Sequence, residues 1–218
     1  MRNRFDLQLK QLNDDIIEMG NMIERAIEMG VYALIGHDTD KAKQTIDYDM
    51  DIDHMERDIE ALCMKLLLQQ QPVARDLRQI SSALKMITDM ERIGDQAEDI
   101  AEIIAFLEDR QAENDAVFRE MARAVIQMVT ESVDAYVKCD IILAKKVIAD
   151  DDYVDDCFAR IKQSLISRIA AAPTEGEYAL DLLMIAKYYE RIGDHATNIA
   201  EWVIYSVTGV HKDEITLT

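Results

Sequence analysis

The sequence is poor in the residues that interrupt helices and has no segment suited to crossing a membrane. Its 218 residues include only two prolines and seven glycines, and this scarcity favours helices over a sheet with many turns. No stretch approaches the roughly 18 apolar residues of a membrane-spanning helix. The N-terminal segment reaches Asp6 without the apolar run of a secretory signal. We therefore expect a helical, cytoplasmic protein without direct membrane insertion.

Cysteine is also scarce. The three cysteines, Cys63, Cys139 and Cys157, lie far apart and form no Cys-x-x-Cys pair, so the ligand spacing of an ordinary zinc site is absent. A free cysteine behaves as a small apolar side chain. We expect each of the three to pack in this way, in a reducing compartment.

Basic residues are in the minority, since 24 Lys and Arg stand against 43 Asp and Glu, and the net charge is −19. Such a surface repels nucleic acids and anionic lipid headgroups at long range. The charge balance therefore predicts no nucleic-acid partner. It favours cations, or protein partners with a basic face.

What the sequence has in abundance is apolar residues at helical spacing. This periodicity predicts six helices over residues 5–36, 40–70, 75–108, 113–138, 142–171 and 177–207. The connections between them are short, so consecutive helices should pack as antiparallel neighbours.

The chain also repeats itself. A shift of 102 residues places Asp38, Asp49 and Asp53 on Asp140, Asp151 and Asp155, and a shift of 99 places 91–97 on 190–196. A duplication of about a hundred residues explains both matches. We predict an all-α fold of two similar three-helix bundles, with one repeat over 1–111 and the other over 112–218, divided in the polar stretch 109–114.

Acidic side chains recur at matching places in the two repeats. On the third helix they follow at i, i+4 and i+8, which gives one side of a helix, and the sixth helix repeats the spacing with one amide; the residues are Glu91, Asp95 and Asp99, then Glu190, Asp194 and Asn198. Acids on the polar face of a helix are usually just solvated. A solvated surface, and with it a metal-free helical adaptor, therefore remains an open alternative.

A second acidic pair in each repeat weakens that alternative. Residues equally distant from the turn of an antiparallel hairpin face each other, so the turn at Pro72 sets Asp49 opposite Asp95 and Asp53 opposite Glu91. The turn at Pro173 does the same for the second repeat, where the pairs are Asp151 with Asp194 and Asp155 with Glu190. Grouped carboxylates repel one another. A metal such as Mg, Ca, Mn or Fe, which prefers oxygen ligands, would offset this repulsion.

Nearby residues bear on the same site. Arg92 and Arg191 would neutralise part of the charge. Gly94 and Gly193 stand between the Glu and Asp of their motifs, where a mid-helix glycine costs on the order of 1 kcal/mol against alanine. Each glycine would permit either close helix packing or access to the site.

The duplicated passage Glu-Arg-Ile-Gly-Asp, at 91–95 and 190–194, resembles the PhoU family, as does the turn from Gln71 to Arg78. The resemblance implies paired three-helix bundles whose surface acids hold multinuclear iron, or other metals such as Zn, Mn, Mg or Ca. It implies the following ligands: Asp49, Asp53, Glu91, Asp95 and Asp99 in the first bundle, and Asp151, Asp155, Glu190, Asp194 and Asn198 in the second. Because Asn198 stands where the first repeat has Asp99, we expect unequal metal content.

The resemblance also implies a role. Members of this family act as negative regulators of the phosphate-starvation response and are not enzymes. They link a phosphate ABC transporter, through its cytoplasmic ATPase subunit, to a membrane sensor histidine kinase. We expect the same partners here, a homodimer, and a peripheral position at the inner face of the membrane through those partners.

Two other functions fit less well. A ferritin-like di-iron enzyme needs two Glu-x-x-His motifs directed into a four-helix core, and the nearest sequence here is a single Asp51-Ile52-Asp53-His54. A histidine phosphotransfer protein would use His195, but the helical wheel places His195 at the edge of the buried stripe, near Trp202. The matching position of the first repeat is Gln96, so we expect His195 to be packed or capped.

Overall fold

The computed structural model describes residues 2–70, 72–107 and 115–210. These residues form six α-helices and one short 3₁₀ turn at Pro173–Glu175: α1 Arg2–Gly36, α2 Thr39–Gln70, α3 Ala74–Phe106, α4 Asp115–Lys138, α5 Ile141–Ala171 and α6 Gly176–Thr208. The six predicted helices are confirmed, with ends shifted by a few residues. The predicted division at 111/112 lies outside the described residues.

No strand occurs in the described ranges. None of the helices found there combines the length and the apolar character needed to cross a membrane.

Matching turns connect the first two helices of each bundle. His37 and Cys139 adopt left-handed backbone conformations, with φ values of 50° and 52°. The next residues, Asp38 and Asp140, accept hydrogen bonds from backbone N–H groups of the helix that follows, which is the preferred role of aspartate at a helix N-terminus. Cys139 is half-buried in this turn. The expectation of apolar packing therefore fits buried Cys63 and Cys157 better than Cys139.

The two bundles pack side by side in opposite directions. α3 lies along α6 and α1 lies along α4, while α2 and α5 lie outside, each against the other two helices of its own bundle. The opposite direction follows from contacts between α3 and α6, where Asp89 bonds to Asn198 near one end and Asp99 lies near Tyr188 further along. This arrangement leaves one outer groove between α2 and α3 and another between α5 and α6.

One apolar core runs through both bundles. The predicted core stripe of α3, formed by Ile93, Ala97, Ile100 and Ile104, is buried. Full burial of an isoleucine side chain contributes about 1.5–3 kcal/mol. Burial of this stripe fixes the rotation of α3 and thereby directs Glu91 and Asp95 toward the groove beside α2.

Candidate metal sites

The groove between α2 and α3 gathers acidic side chains around Asp49. Burial, together with the carboxylates of Glu98, Asp95, Asp53 and Glu91, raises the pKa of Asp49 to about 7. Such a rise shows that the charged form is poorly solvated and surrounded by like charges. The hairpin predicted that Asp49 and Asp53 of α2 face Glu91 and Asp95 of α3. The structure does bring these four side chains together.

Gly94 lets this arrangement form. A methyl group placed on Gly94 would lie 2.9 Å from Oδ1 of Asp49 and 3.1 Å from Cγ2 of buried Ile52. The Asp49 carboxylate therefore lies directly over the backbone of α3. Close helix packing, one of the two roles considered for this glycine, is what the structure shows.

Two further acids belong to this site and are not among the predicted ligands. Glu98 is the carboxylate that raises the pKa of Asp49 most after burial, and Glu56 contributes to the raised pKa of Glu91 after burial and Asp95. We call the six acids of this groove the first cluster: Asp49, Asp53, Glu56, Glu91, Asp95 and Glu98. The sequence held a signal for both, since Glu56 follows Asp53 by three residues and Glu98 follows Asp95 by three, a helical-neighbour spacing.

Arginines offset part of the charge. Nη2 of Arg57 lies 2.6 Å from Oδ2 of Asp53, and Nε of Arg92 lies 3.8 Å from Oε2 of Glu91. Both arginine side chains are about 60% exposed, so water screens these pairs and each contributes little. The first cluster therefore keeps a strong net negative charge.

The groove between α5 and α6 repeats the arrangement with fewer acids. Burial and the carboxylates of Asp194, Asp155, Glu190 and, least of all, Asp152 raise the pKa of Asp151 to about 6. A methyl group on Gly193 would lie 3.1 Å from Oδ1 of Asp151. We call Asp151, Asp155, Glu190 and Asp194 the second cluster. Asp155 and Asp194 are exposed, whereas their counterparts Asp53 and Asp95 are half-buried.

A lysine joins the second cluster. Nζ of Lys187 forms an ion pair with Oε2 of Glu190, and its charge lowers the pKa of Asp194 against the larger effects of burial and Glu190. Lys187 precedes Glu190 by three residues on α6, a spacing that the sequence shows. Lys187 was not predicted from the sequence because only acidic residues were considered.

Asp99 and Asn198 lie at the seam between α3 and α6. Nδ2 of Asn198 donates to Oδ1 of Asp89 at 3.2 Å. Burial and the carboxylates of Glu102 and Asp95 raise the pKa of Asp99, while Arg191 of α6 lowers it. Eight residues advance about 80° beyond two full turns, which explains why these positions rotate away from the grooves. The positive charge of Arg191 thus acts on Asp99 of the other bundle.

The donor sets of both clusters suit hard metal ions, because carboxylate oxygens are their preferred ligands. The desolvated Asp49 carboxylate is the clearest sign of fit, since a cation there would relieve both burial and repulsion. Within the described ranges, no three His, Cys, Asp or Glu side chains already form a metal-binding arrangement. Metal binding would therefore require side-chain rotation within the grooves.

Two histidines bear on the alternative functions. His54 and Asp51 are exposed on α2, outside any bundle core. Nδ1 of His195 lies 2.9 Å from Oδ1 of Asp89, so the expected packed or capped state of His195 is confirmed. This contact joins the two bundles.

Comparisons with known proteins fit this geometry. A family model described as the PhoU domain matches residues 16–104 and again 118–203, one match in each bundle. The chain is 36% identical over 215 residues to the phosphate-specific transport system accessory protein PhoU homolog of Clostridium acetobutylicum, covering 97% of this chain and 98% of the relative. It is 35% identical over 217 residues to the homolog of Pseudomonas aeruginosa, covering 99% of this chain and 90% of the relative.

The fold agrees as well. A crystal structure of PhoU from Pseudomonas aeruginosa superposes with a TM-score of 0.89 at 35% identity, covering 94% of this chain and 100% of that one. Two domain matches, near-complete alignments and a shared six-helix fold lead to one conclusion: this chain belongs to the PhoU family.

Proposed function

We propose that this protein is an accessory regulator of a phosphate ABC transporter and a negative regulator of the phosphate-starvation response, acting through a sensor histidine kinase. One observation carries the proposal: relatives that align over nearly the whole chain are named phosphate-specific transport system accessory proteins. The protein would act by contact with partners and not as an enzyme. Its place would be the cytoplasmic side of the membrane, held there by those partners.

A reporter strain tests this role. Deletion of the gene in its own bacterium should switch on a phosphate-starvation reporter in phosphate-rich medium, and a plasmid copy should repress it again. A reporter that stays silent after deletion would contradict the proposed negative regulation.

The turn between α2 and α3 offers a surface for the transporter ATPase subunit. Around this turn four aliphatic side chains are exposed: Met64 by 45%, Leu68 by 77%, Val73 by 67% and Leu77 by 45%. Single exposed apolar residues are ordinary, but a group of them supports protein contact. Exposed Arg75 in the same turn gives this surface one positive side chain, on a chain whose net charge of −19 otherwise favours partners with a basic face.

Pull-down experiments with the ATPase subunit and the sensor kinase, in low and physiological salt, test the partners. Leu68→Glu with Val73→Glu should abolish capture of the ATPase. The matched control is Leu180→Glu with Met184→Glu on α6, where the side chains are 57% and 43% exposed. Equal capture by both variants would place the contact elsewhere, and recovery of neither partner would sink the proposed link.

We further propose that metal, iron above all and otherwise Zn, Mn, Mg or Ca, binds the acidic grooves, with more than one ion possible in a groove. The ligands would be Asp49, Asp53, Glu91 and Asp95 in one groove, and Asp151, Asp155, Glu190 and Asp194 in the other. Asp99 and Asn198, the further ligand candidates, lie at the seam and would stay outside these ligand sets. The metal would supply positive charge that holds α2 to α3 and α5 to α6. Support comes from the raised pKa of Asp49 and of Asp151, attributable to burial and crowded carboxylates.

Elemental analysis of the untagged protein tests this. We expect metal in the native protein and its loss in a variant carrying Asp53→Ala, Glu91→Ala, Asp155→Ala and Glu190→Ala. Asp51→Ala with Asp58→Ala, exposed acids on α2, should change nothing. Native protein that stays metal-free after incubation with Fe, Mn, Zn and Mg salts would favour the metal-free adaptor.

The homodimer remains part of the proposal. Sedimentation equilibrium with and without metal should give twice the mass of the 24.9 kDa chain. A monomer under both conditions would contradict it.

A further inference from the structure

The two clusters occupy matching grooves but have diverged in charge. Two acids of the first cluster and one beside it have uncharged counterparts in the second bundle: Glu56 corresponds to Phe158, Glu98 to Thr197 and Asp99 to Asn198. Asp152, which also acts on Asp151 and corresponds to Met50, restores one of these three charges, so the second groove still has less negative charge with which to attract a metal ion.

At one matching position the second groove has a cation where the first has a neutral residue. Thr88 of the first bundle, whose hydroxyl donates to the backbone carbonyl of Leu84, corresponds to Lys187 in the second. Nζ of Lys187 pairs with Oε2 of Glu190 and lies 5.7 Å from the centre of the Phe158 ring. The two substitutions thus act together, because the ring that replaces an acid now packs against the new ammonium group.

This lysine differs from the arginines of the first cluster. Its side chain is 38% exposed, against 60% for Arg57 and 59% for Arg92, and its partner Glu190 is only 15% exposed. Lower exposure means weaker screening by water and salt. Lys187 and its partner are therefore less screened than either arginine that pairs with an acid of the first cluster.

We propose that the ammonium group of Lys187 is the resident cation of the second cluster and keeps its metal affinity below that of the first. The inference rests on the metal binding proposed above. A metal ion that enters the second groove must compete with Lys187 for Glu190 and approach a positive charge. The repulsion among the acids of the second cluster is then partly offset without metal, while the first cluster has no cation of comparably low exposure.

A residue exchange between the matching positions tests this on the full-length protein. Lys187→Thr is made in a background with Asp53→Ala and Glu91→Ala, which leaves the second cluster intact. Thr88→Lys is made in a background with Asp155→Ala and Glu190→Ala, which leaves the first. Mn²⁺ binding to chelator-stripped protein is then measured by titration calorimetry.

We expect Lys187→Thr to tighten Mn²⁺ binding at the second cluster, and Thr88→Lys to weaken it at the first, each on the order of tenfold. Lys162→Thr is the control, because Nζ of Lys162 lies 5.6 Å from the centre of the same Phe158 ring; it should leave Mn²⁺ binding unchanged. Unchanged affinity after Lys187→Thr would overturn the inference. So would equal affinity of the two clusters in the parent backgrounds.

Thermal denaturation without metal separates this inference from the proposed function. If the first cluster binds no Mn²⁺, the proposed metal function fails. The role of Lys187 as resident cation is then tested by stability alone. Lys187→Thr should lower the melting temperature of the metal-free protein more than Lys162→Thr does. Equal melting temperatures for these two variants would overturn it.

Discussion

The groove between α2 and α3 holds the six acids of the first cluster beside two exposed arginines, whereas the matching groove between α5 and α6 holds the four acids of the second cluster beside a less exposed lysine. Both grooves keep the glycine that lets an aspartate lie over the neighbouring helix. Duplication has thus preserved the backbone geometry while the charges have diverged. The difference teaches that matching structure in the two bundles need not mean matching ion binding.

Protonation of the metal-free protein should expose this difference most strongly. The pKa of Asp49 is about 7 and that of Asp151 about 6, against an ordinary 3.8. Between the ordinary and the raised pKa, the folded state holds a proton that the unfolded chain has released. The free energy of unfolding therefore falls as pH rises through this window, which extends further for Asp49.

Thermal melts of chelator-treated protein between about pH 5 and pH 8 measure the effect. We expect the melting temperature to fall with rising pH, and Asp49→Asn to flatten the curve more than Asp151→Asn does. A melting temperature that rises across this range would refute the sign. Equal flattening by both variants would remove the distinction between the clusters.

The two glycines offer the next largest contrast. An alanine at position 94 would crowd Asp49 and also Cγ2 and Cδ1 of Ile52, at 3.1 and 3.3 Å. Ile52 is fully buried and has little room to move, so we expect Gly94→Ala to cost about 2 kcal/mol of unfolding free energy net of its helix propensity. A methyl group at position 193 would meet Oδ1 of Asp151 at 3.1 Å, the end of a half-buried side chain that can shift, and Val154 at an ordinary 3.4 Å. Gly193→Ala should therefore cost only about 0 to 0.5 kcal/mol.

Urea denaturation of both variants checks this contrast. Because the carboxylate displaced by the new methyl group belongs to the first cluster, Gly94→Ala should also weaken any metal binding there. Similar losses of unfolding free energy in the two variants would show that α2 packs no more tightly against α3 than α5 packs against α6.

The seam between the bundles is asymmetric too. On one side Asp89 accepts hydrogen bonds from His195 and Asn198, whereas the matching positions are Tyr188, Gln96 and Asp99. Removal of the shared acceptor leaves two donors without it, so Asp89→Ala should cost about 1.5 kcal/mol. The same urea measurement applies, with exposed Asp58→Ala as the control. A loss no larger than that of the control would mean that the seam is held by apolar packing alone.

Much of this fold was predictable because it depends on local pattern. Apolar periodicity predicted the helices. The hairpin turns near Pro72 and Pro173 predicted which acids lie at the same position along two neighbouring helices. Position along the helix does not determine how the helix is rotated about its axis. The sequence therefore did not reveal that Asp99 and Asn198 lie at the seam between α3 and α6. Their rotation is set by the packing of α3 against α6, a contact between distant parts of the chain.

The composition of the clusters was harder to predict for a different reason. A search for paired acids finds Asp49 and Glu91, but it does not show that Glu98 reaches Asp49 across the groove, or that Lys187, which pairs with Glu190 on its own helix, also packs against Phe158 of α5. These contacts depend on how closely α2 packs against α3 and α5 against α6. The raised pKa of Asp49 arises mainly from burial, which only the assembled bundle defines.

The smallest contrast lies at the matching helix starts. Oδ1 of Asp140 accepts from the backbone N–H groups of Ile142 and Leu143 at 2.9 and 3.0 Å, whereas Oδ1 of Asp38 accepts from Lys41 N–H at 2.9 Å. Loss of the doubly bonded cap should cost more, so we expect about 1 kcal/mol for Asp140→Ala and about 0.5 kcal/mol for Asp38→Ala. Urea denaturation resolves such differences only if the slopes of the transitions agree. A larger loss from Asp38→Ala would mean that the start of α2, beside the more acidic groove, depends more on its cap than hydrogen bonding alone predicts.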